Sequence, residues 1–408
     1  MSWKMKSICL VFLLLAWIRT NSYTQEIHED IIFLNLGNSE IKIENTIHLN
    51  MLEKEYQDLR SITGEKDRIW TGKIIINGDT LKPKEISTRG QSTLMFKRKS
   101  LSFKLESRAS FRHGNMTKSL KKFSLLSLSM DQYYCRNRLA FEMMDTLGIF
   151  KLFYSFCELR INGKSEGVFM ILERPEDWAL KEKSAPLVLR RGYDHQIIET
   201  KTDSETKRKA TKYYLGNYRQ IYRSLNDFDG EALYAVLLEL IDIDLYMKWL
   251  AFNYLVHNGD YCDEVFFYME PEIIKYRIIP WDYDDIFAST PHEGVEKRNK
   301  TIGRKLIFSS EDLLDKKIAN DPYLYGIYLK SLKEVLETLS PDLLEQIIEN
   351  TYAELYPFYS SKEIISNAQF DYYKDASIGN LKIYLCEIYI ALRNRRIKYL
   401  EYMDNRNN

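Results

Sequence analysis

The stretch that decides the fold begins His257-Asn-Gly-Asp260-Tyr-Cys-Asp263-Glu264 and continues as Val265-Phe-Phe-Tyr-Met269. A turn at Glu270-Pro-Glu272 follows, then the return Ile274-Lys-Tyr-Arg-Ile-Ile279 and Pro280-Trp-Asp282-Tyr-Asp284-Asp285-Ile-Phe287. Two β-prone runs of about five residues joined by a tight turn must lie antiparallel, about 4.8 Å apart. The start of the first strand then sits beside the end of the second. Asp260, Asp263 and Glu264 thereby come next to Asp282, Asp284 and Asp285, although the two groups are about 22 residues apart in the chain. If Trp281 to Asp285 is extended, Asp282 and Asp284 share one face and Asp285 takes the other.

Five or six carboxylates converging at one hairpin mouth repel strongly unless a cation neutralises them. An all-oxygen set without His or thiolate suits a hard ion, Mg²⁺ or Mn²⁺, better than zinc. Mg²⁺ held by one or two carboxylates usually completes its shell with water and substrate phosphates. The plain alternative is a solvated acidic turn, with some of these residues capping helices. Pro280, Trp281, Ile286 and Phe287 embed the acids in apolar surroundings and favour the metal.

Outward from this hairpin the chain divides into a strand-rich first half and a helical second half. Lys73-Ile-Ile-Ile-Asn77-Gly78-Asp-Thr-Leu81 carries a hairpin turn, as does Asn162-Gly163 between Glu158-Leu-Arg-Ile161 and Gly167-Val-Phe-Met-Ile-Leu-Glu173. Ile32 to Leu36 and Ile41 to Ile47 are further β-prone runs, and Glu85-Ile-Ser-Thr-Arg-Gly90 and Lys99-Ser-Leu-Ser-Phe-Lys-Leu-Glu106 alternate with period two. Asp131 is the expected N-cap of a helix over Gln132 to Thr146, stopped at Gly148. Amphipathic helices are expected at Ile243–Val256, Tyr323–Leu339, Pro341–Tyr356 and Ser377–Tyr402. Strands first and helices second is the α+β pattern. The charged connector from Glu199 to Lys212 marks the expected boundary between a lobe of residues 23–199 and a lobe of residues 200–408.

The 408 residues are 45% hydrophobic and 28% charged, enough apolar material for a large core and too much for wholesale disorder. Lys+Arg and Asp+Glu both total 58. That balance argues against a nucleic-acid binder, which needs a basic excess. Lys4 and Lys6 precede an apolar run from Ile8 to Ile18, with small residues at Thr20 and Ser22. This reads as a secretory signal peptide over residues 1–22, too short to span a bilayer. The expected location is secreted, periplasmic or cell-surface, without stable membrane insertion after cleavage. Cleavage removes Lys4, Lys6 and Arg19 and no acid, leaving a formal charge of −3. Cys135, Cys157, Cys262 and Cys386 remain, with no CxxC spacing to support a zinc site.

The chain resembles the CotH kinase family, the spore coat protein H group of atypical secreted kinases. The matching stretches are Arg89-Gly-Gln-Ser-Thr93 with Lys99-Ser-Leu-Ser-Phe-Lys104, and Asp131-Gln-Tyr-Tyr-Cys-Arg-Asn-Arg-Leu-Ala140. Leu159-Arg-Ile-Asn-Gly-Lys-Ser-Glu-Gly-Val-Phe-Met-Ile-Leu-Glu173, His257-Asn-Gly-Asp260 and Trp281-Asp-Tyr-Asp-Asp-Ile-Phe287 complete the set, in the family's order. The resemblance implies a remote protein-kinase-like, two-lobed fold binding ATP and Mg²⁺ (or Mn²⁺) between the lobes. It implies phosphate transfer to Ser or Thr of an exported protein. By the same carry-over Asp260 looks like the catalytic-loop acid and Asp282 like the metal-holding Asp. Glu264, or Asp263, stands where the family often has Asn, and Asp284 joins Asp282 and Glu264 as an expected metal ligand. Lys104 is the expected phosphate lysine, Glu173 its ion-pair partner, and Arg89 beside Gly90 a bidentate phosphate donor. For Arg138 a structural ion pair is the expected role.

The chain departs from ordinary kinases in having no GxGxxG, HRD or DFG. A non-catalytic coat or surface assembly protein keeping the fold is the alternative function. A metal-dependent phosphoesterase using the same carboxylates is the third.

Overall fold

Leu101, Phe103 and Leu105 alternate with Ser102 and Lys104, so this segment is a strand with one apolar face. It belongs to an eight-stranded sheet that forms most of the N-terminal part. In a computed structural model, residues 34, 36–62, 64–69, 72–203, 208–270 and 272–407 are described. The expected signal peptide and most of the run at 32–36 lie outside the described residues.

Numbered in chain order, β1 is Thr46–Leu49, α1 Glu53–Leu59, β2 Ile74–Ile76, β3 Asp79–Leu81 and β4 Pro83–Arg89. The long pair β5 (Ser100–His113) and β6 (Met116–Leu126) follows, then α2 (Arg136–Thr146), β7 (Tyr154–Ile161), β8 (Lys164–Glu173) and α3 (Pro175–Glu182). The sheet order is β3-β2-β1-β7-β8-β6-β5-β4, antiparallel throughout except where β1 lies parallel to β7. Its core face buries Phe103, Phe123 and Phe111, with Phe103 and Phe123 stacked at 4.7 Å.

Both expected hairpins form, with Asn77 and Asn162 at positive φ in their turns. The strand expected at 41–47 begins only at Thr46, as β1, and the Asn45 side chain just before it is tied to neighbouring strands. Its buried amide donates to the Arg112 carbonyl at 2.7 Å and the Ser155 hydroxyl at 2.8 Å. The helix expected from Gln132 begins at Arg136. The Asp131 carboxylate does cap it, but accepts from the N–H groups of Arg136 (2.8 Å) and Asn137 (2.9 Å) after an intervening 3₁₀ turn.

β9 (Leu187–Arg191) and β10 (Ile197–Thr202) pair with β11 (Val265–Met269) and β12 (Tyr276–Pro280) in a second sheet, order β10-β9-β11-β12. The boundary expected at residue 199 therefore falls inside a strand, and residues from both sides of it build this sheet. The helices are α4 (Arg208–Asp227), α5 (Gly230–Leu240), α6 (Ile243–Val256), α7 (Val295–Ile302), α8 (Leu313–Asn320), α9 (Pro322–Thr338), α10 (Pro341–Tyr359), α11 (Lys362–Ile365) and α12 (Ile378–Asn407). α6 is buried on nearly every side, as expected of a helix at the centre of its domain. It packs against α9, α12 and β12. Among the described residues no helix is long and apolar enough to cross a membrane.

The Phe103–Phe123 stack is the centre of the large sheet's core. Phe123→Ala leaves a cavity there and is expected to cost about 3–5 kcal/mol. A urea titration followed by circular dichroism measures the loss.

Candidate active site

β11 and β12 pair with Val265 opposite Pro280, which fixes where each flanking acid emerges. The Trp281 N–H extends the ladder by bonding the Glu264 carbonyl at 3.0 Å. The chain then leaves the strand, because Asp282 has φ +51. Asp tolerates this left-handed region better than most residues. The extended geometry expected for Trp281–Asp285 therefore breaks at its second residue. Asp282, Asp284 and Asp285 all line one cavity of about 840 Å³, together with Asp260, Asp263 and Glu264.

The loop before β11 is held just as firmly. The Gly259 N–H bonds the Asp285 carbonyl at 3.0 Å, and a Cβ on Gly259 would stand 2.0 Å from an Asp285 carboxylate oxygen. Glycine here lets the Asp285 carboxylate lie against the loop; a larger residue would push it aside. His257 ends α6 at φ +51 and sends a ring nitrogen to the Tyr399 hydroxyl at 3.1 Å. On the other flank, the Asn137 side-chain oxygen accepts from the Tyr283 N–H at 2.9 Å, and its amide donates to Asp131 at 3.0 Å. Asp131 and Asn137, from the start of α2, thus set the backbone between Asp282 and Asp284.

Arginines, rather than acids alone, shape the electrostatics. Successive residues of β9 point to opposite faces. Arg190 faces the cavity, pairs with Glu264 at 2.7 Å and donates to the Asp263 carbonyl at 3.0 Å. Arg191 faces the core, where its guanidinium meets Asp312 at 3.4 Å and donates to the Cys262 carbonyl at 2.8 Å. The acidic loop is therefore clamped from both sides. Arg89 lies 5.2 Å over the Trp281 ring and bonds the Ser124 hydroxyl. The Tyr193 hydroxyl donates to Asp260 at 2.8 Å. Glu176 accepts from Lys201 at 2.6 Å and Arg174 at 2.8 Å. These two cations outweigh its burial and bring its pKa down to about 2.

Elsewhere in the cavity the acids are under strain. Burial, reinforced by the Asp282 charge and opposed by Arg190, lifts Glu264 well above the usual carboxylate range. Burial and the same neighbour lift Asp284. Burial also raises Asp282, against Arg89 and Arg190. Glu264 Oε2 and Asp263 Oδ1 are buried with no hydrogen-bond partner. These orphaned oxygens fit a hard cation. Among the described residues, however, no three His, Cys, Asp or Glu side chains close into a group able to hold a metal ion. The acids share a cavity without forming a protein-only cage.

Two sequence expectations need correction. Lys104 is absent from the cavity lining: Ser102 reaches it, but Lys104 sits one pleat further along the same face, opposite Glu85 and Lys122. Glu173 cannot pair with Lys104, because it lies opposite Phe123 and so on the other face of the sheet. It pairs with Lys118 at 3.2 Å instead, and burial raises its pKa to about 7 despite that lysine. Arg138 does make the expected structural pair, with Glu354 at 2.6 Å. Arg174, Arg190, Tyr193 and Lys201 were not anticipated. The run Leu187-Val-Leu-Arg-Arg191 before Gly192 was a readable strand signal for Arg190.

The site thus defines a chain with one acidic cavity, ringed by arginines, where two sheets meet. The family model described as CotH kinase protein matches residues 86–385, and the chain belongs to that family. It is similar to the inner spore coat protein H of Bacillus subtilis (strain 168), 24% identical over 292 residues, covering 67% of this chain and 77% of that protein. Among solved structures it matches the Helicobacter pylori proinflammatory kinase CtkA at 11% identity and TM-score 0.30, over 68% of this chain and 94% of that one. A Shewanella oneidensis MR-1 HipA–HipB–operator DNA complex matches at 12% identity and TM-score 0.36, over 96% of this chain and 71% of that one. At these scores neither structural likeness carries an argument.

Asn137→Ala is expected to leave the Tyr283 N–H buried without a partner and cost about 1–3 kcal/mol, read as a lower urea midpoint. Burial and then Arg395 drop the His257 pKa from 6.5 to about 3. The unfolded chain therefore binds the extra proton first, and stability falls as pH drops from about 6.5 toward 3. His257→Asn, which keeps a residue tolerant of positive φ, should lose less stability than the parent between pH 7 and pH 5. Urea midpoints at the two pH values test this.

Proposed function

We propose that this chain is an exported, ATP- and divalent-metal-dependent protein kinase that phosphorylates Ser or Thr of a coat or surface protein. The observation that carries the reading is that Asp260 and Asp282, brought together at the open end of one hairpin, line the same cavity as Arg89 and Arg190. Membership of the CotH kinase family supports it. So does the coat protein named for the Bacillus relative, which suggests where the substrate is found. The cavity volume suits a nucleotide-sized ligand.

Asp282 would hold Mg²⁺ or Mn²⁺ with Asp284 or Glu264 beside it, and water and substrate phosphates would complete the shell, since no three of these acids close into a cage. When bound, the ion neutralises charge on the transferred phosphate. Arg89, stacked on Trp281 and free of any carboxylate partner within 4 Å among the described residues, presents a guanidinium to phosphate oxygens. It takes the role expected of Lys104. Tyr193 holds Asp260 Oδ1, so the carboxylate is oriented and its Oδ2 receives the proton of the attacking hydroxyl. Phosphoryl transfer asks mainly for such positioning and charge balance.

A second reading rests on the Arg190–Glu264 pair at 2.7 Å. It already satisfies one oxygen of an expected metal ligand, as a non-catalytic coat or surface assembly protein would allow. Transfer of labelled γ-phosphate from ATP to a coat-protein extract separates the two. The kinase reading expects incorporation that falls at least about a hundredfold in Asp260→Ala, the scale of a general base. It also expects Mg²⁺-dependent ATP binding that is lost in Asp282→Ala. Absence of both incorporation and binding supports the assembly protein.

A further inference from the structure

A second concavity of about 600 Å³ opens between α4 and the turn joining β9 to β10, and shares no lining residue with the acidic cavity. Arg219 and Arg223 stand one helical turn apart on α4, on the same face and exposed. Among the described residues neither makes an ion pair or hydrogen bond. Arg160, Arg174, Arg190 and Arg277, by contrast, each hold a carboxylate within 4 Å. No Asp or Glu lines this groove.

Its remaining surface is one half-buried imidazole ring with apolar edges beside it. The His195 ring stacks on Tyr222 at 4.5 Å, Tyr218 lies one turn earlier, and Ile197 and Leu313 add apolar edges. His195 Nδ1 is buried without a hydrogen-bond partner. Buried polar groups left unpaired cost free energy and call for a partner. Two unpaired guanidinium groups beside an unpaired imidazole nitrogen ask for an anion with several acceptor oxygens. A phosphate monoester offers three, with a charge near −2, where a carboxylate offers two with a charge of −1.

We propose that this groove is a second anion site, which binds a phosphate monoester carried on a flat organic group. The guanidinium pair takes the phosphate, and the His195 ring with the apolar edges of Ile197 and Leu313 takes the organic group. The site does not rest on the phosphotransfer reading of the acidic cavity.

Isothermal titration of the full chain, without nucleotide or divalent metal, tests it with phenyl phosphate, inorganic phosphate and a phosphotyrosine peptide. Phenyl phosphate is expected to bind at least about tenfold tighter than inorganic phosphate, because only it covers aromatic surface. The double variant Arg219→Ala/Arg223→Ala should weaken it at least about tenfold. Both arginines are exposed, so an unchanged melting temperature verifies the fold of that variant. Asp282→Asn should bind phenyl phosphate as the parent does. A peptide that binds tighter than phenyl phosphate identifies a protein-borne ester, and equal affinity identifies a free one. No binding of phenyl phosphate, undiminished binding in the double variant, or loss only in Asp282→Asn overturns the proposal.

Discussion

The pairing of Val265 with Pro280 is the contact on which the rest of the site depends. An antiparallel ladder leaves no freedom in where its ends fall, so this register places Asp260, Asp263 and Glu264 beside Asp282, Asp284 and Asp285. A slip of one residue would turn every strand side chain to the other face and separate the two groups. The same convergence sets the Asp285 carboxylate against Gly259, so a side chain at 259 would displace it.

Crowding six acids has an electrostatic cost, and the protein meets it with several devices. Arg190 pairs with Glu264, Tyr193 donates to Asp260, and Arg89 stands over the neighbouring Trp281. What these leave unbalanced appears as raised carboxyl pKa values and as two buried oxygens without partners. Perturbed acids in a cavity are a hallmark of functional sites. Arg191, one residue from Arg190, anchors the same loop from beneath through Asp312 and the Cys262 carbonyl. Two adjacent arginines on one strand therefore serve the site and its foundation at once, because strand side chains alternate.

Much of this was legible from local pattern. The Asn-Gly hairpins, helix Ile243–Val256 and the antiparallel acidic hairpin all formed where their periodicity and turn residues placed them. Other features were not legible. Asp131 capped a helix starting further along, since a 3₁₀ turn intervened. Lys104, inside an alternating strand, and Glu173, ending a hairpin, looked like partners, yet sheet register set them on opposite faces. β9 and β10 went unread because a short strand owes its existence to neighbours far away in the chain.

The sequence by itself determined which acids meet, because a tight turn between two short strands permits one local arrangement. It also determined the strand-rich and helical halves, through periods of 2 and 3.6 residues. Only the tertiary structure decided which cations share the cavity with those acids. Arg89, Arg174, Arg190 and Lys201 come from separate strands and connections, and their convergence depends on how whole sheets pack. The backbone bend at Asp282, which turns Asp285 into the same cavity, was likewise settled there. It is held by Asn137 from a helix far away in sequence, a contact no local pattern contains.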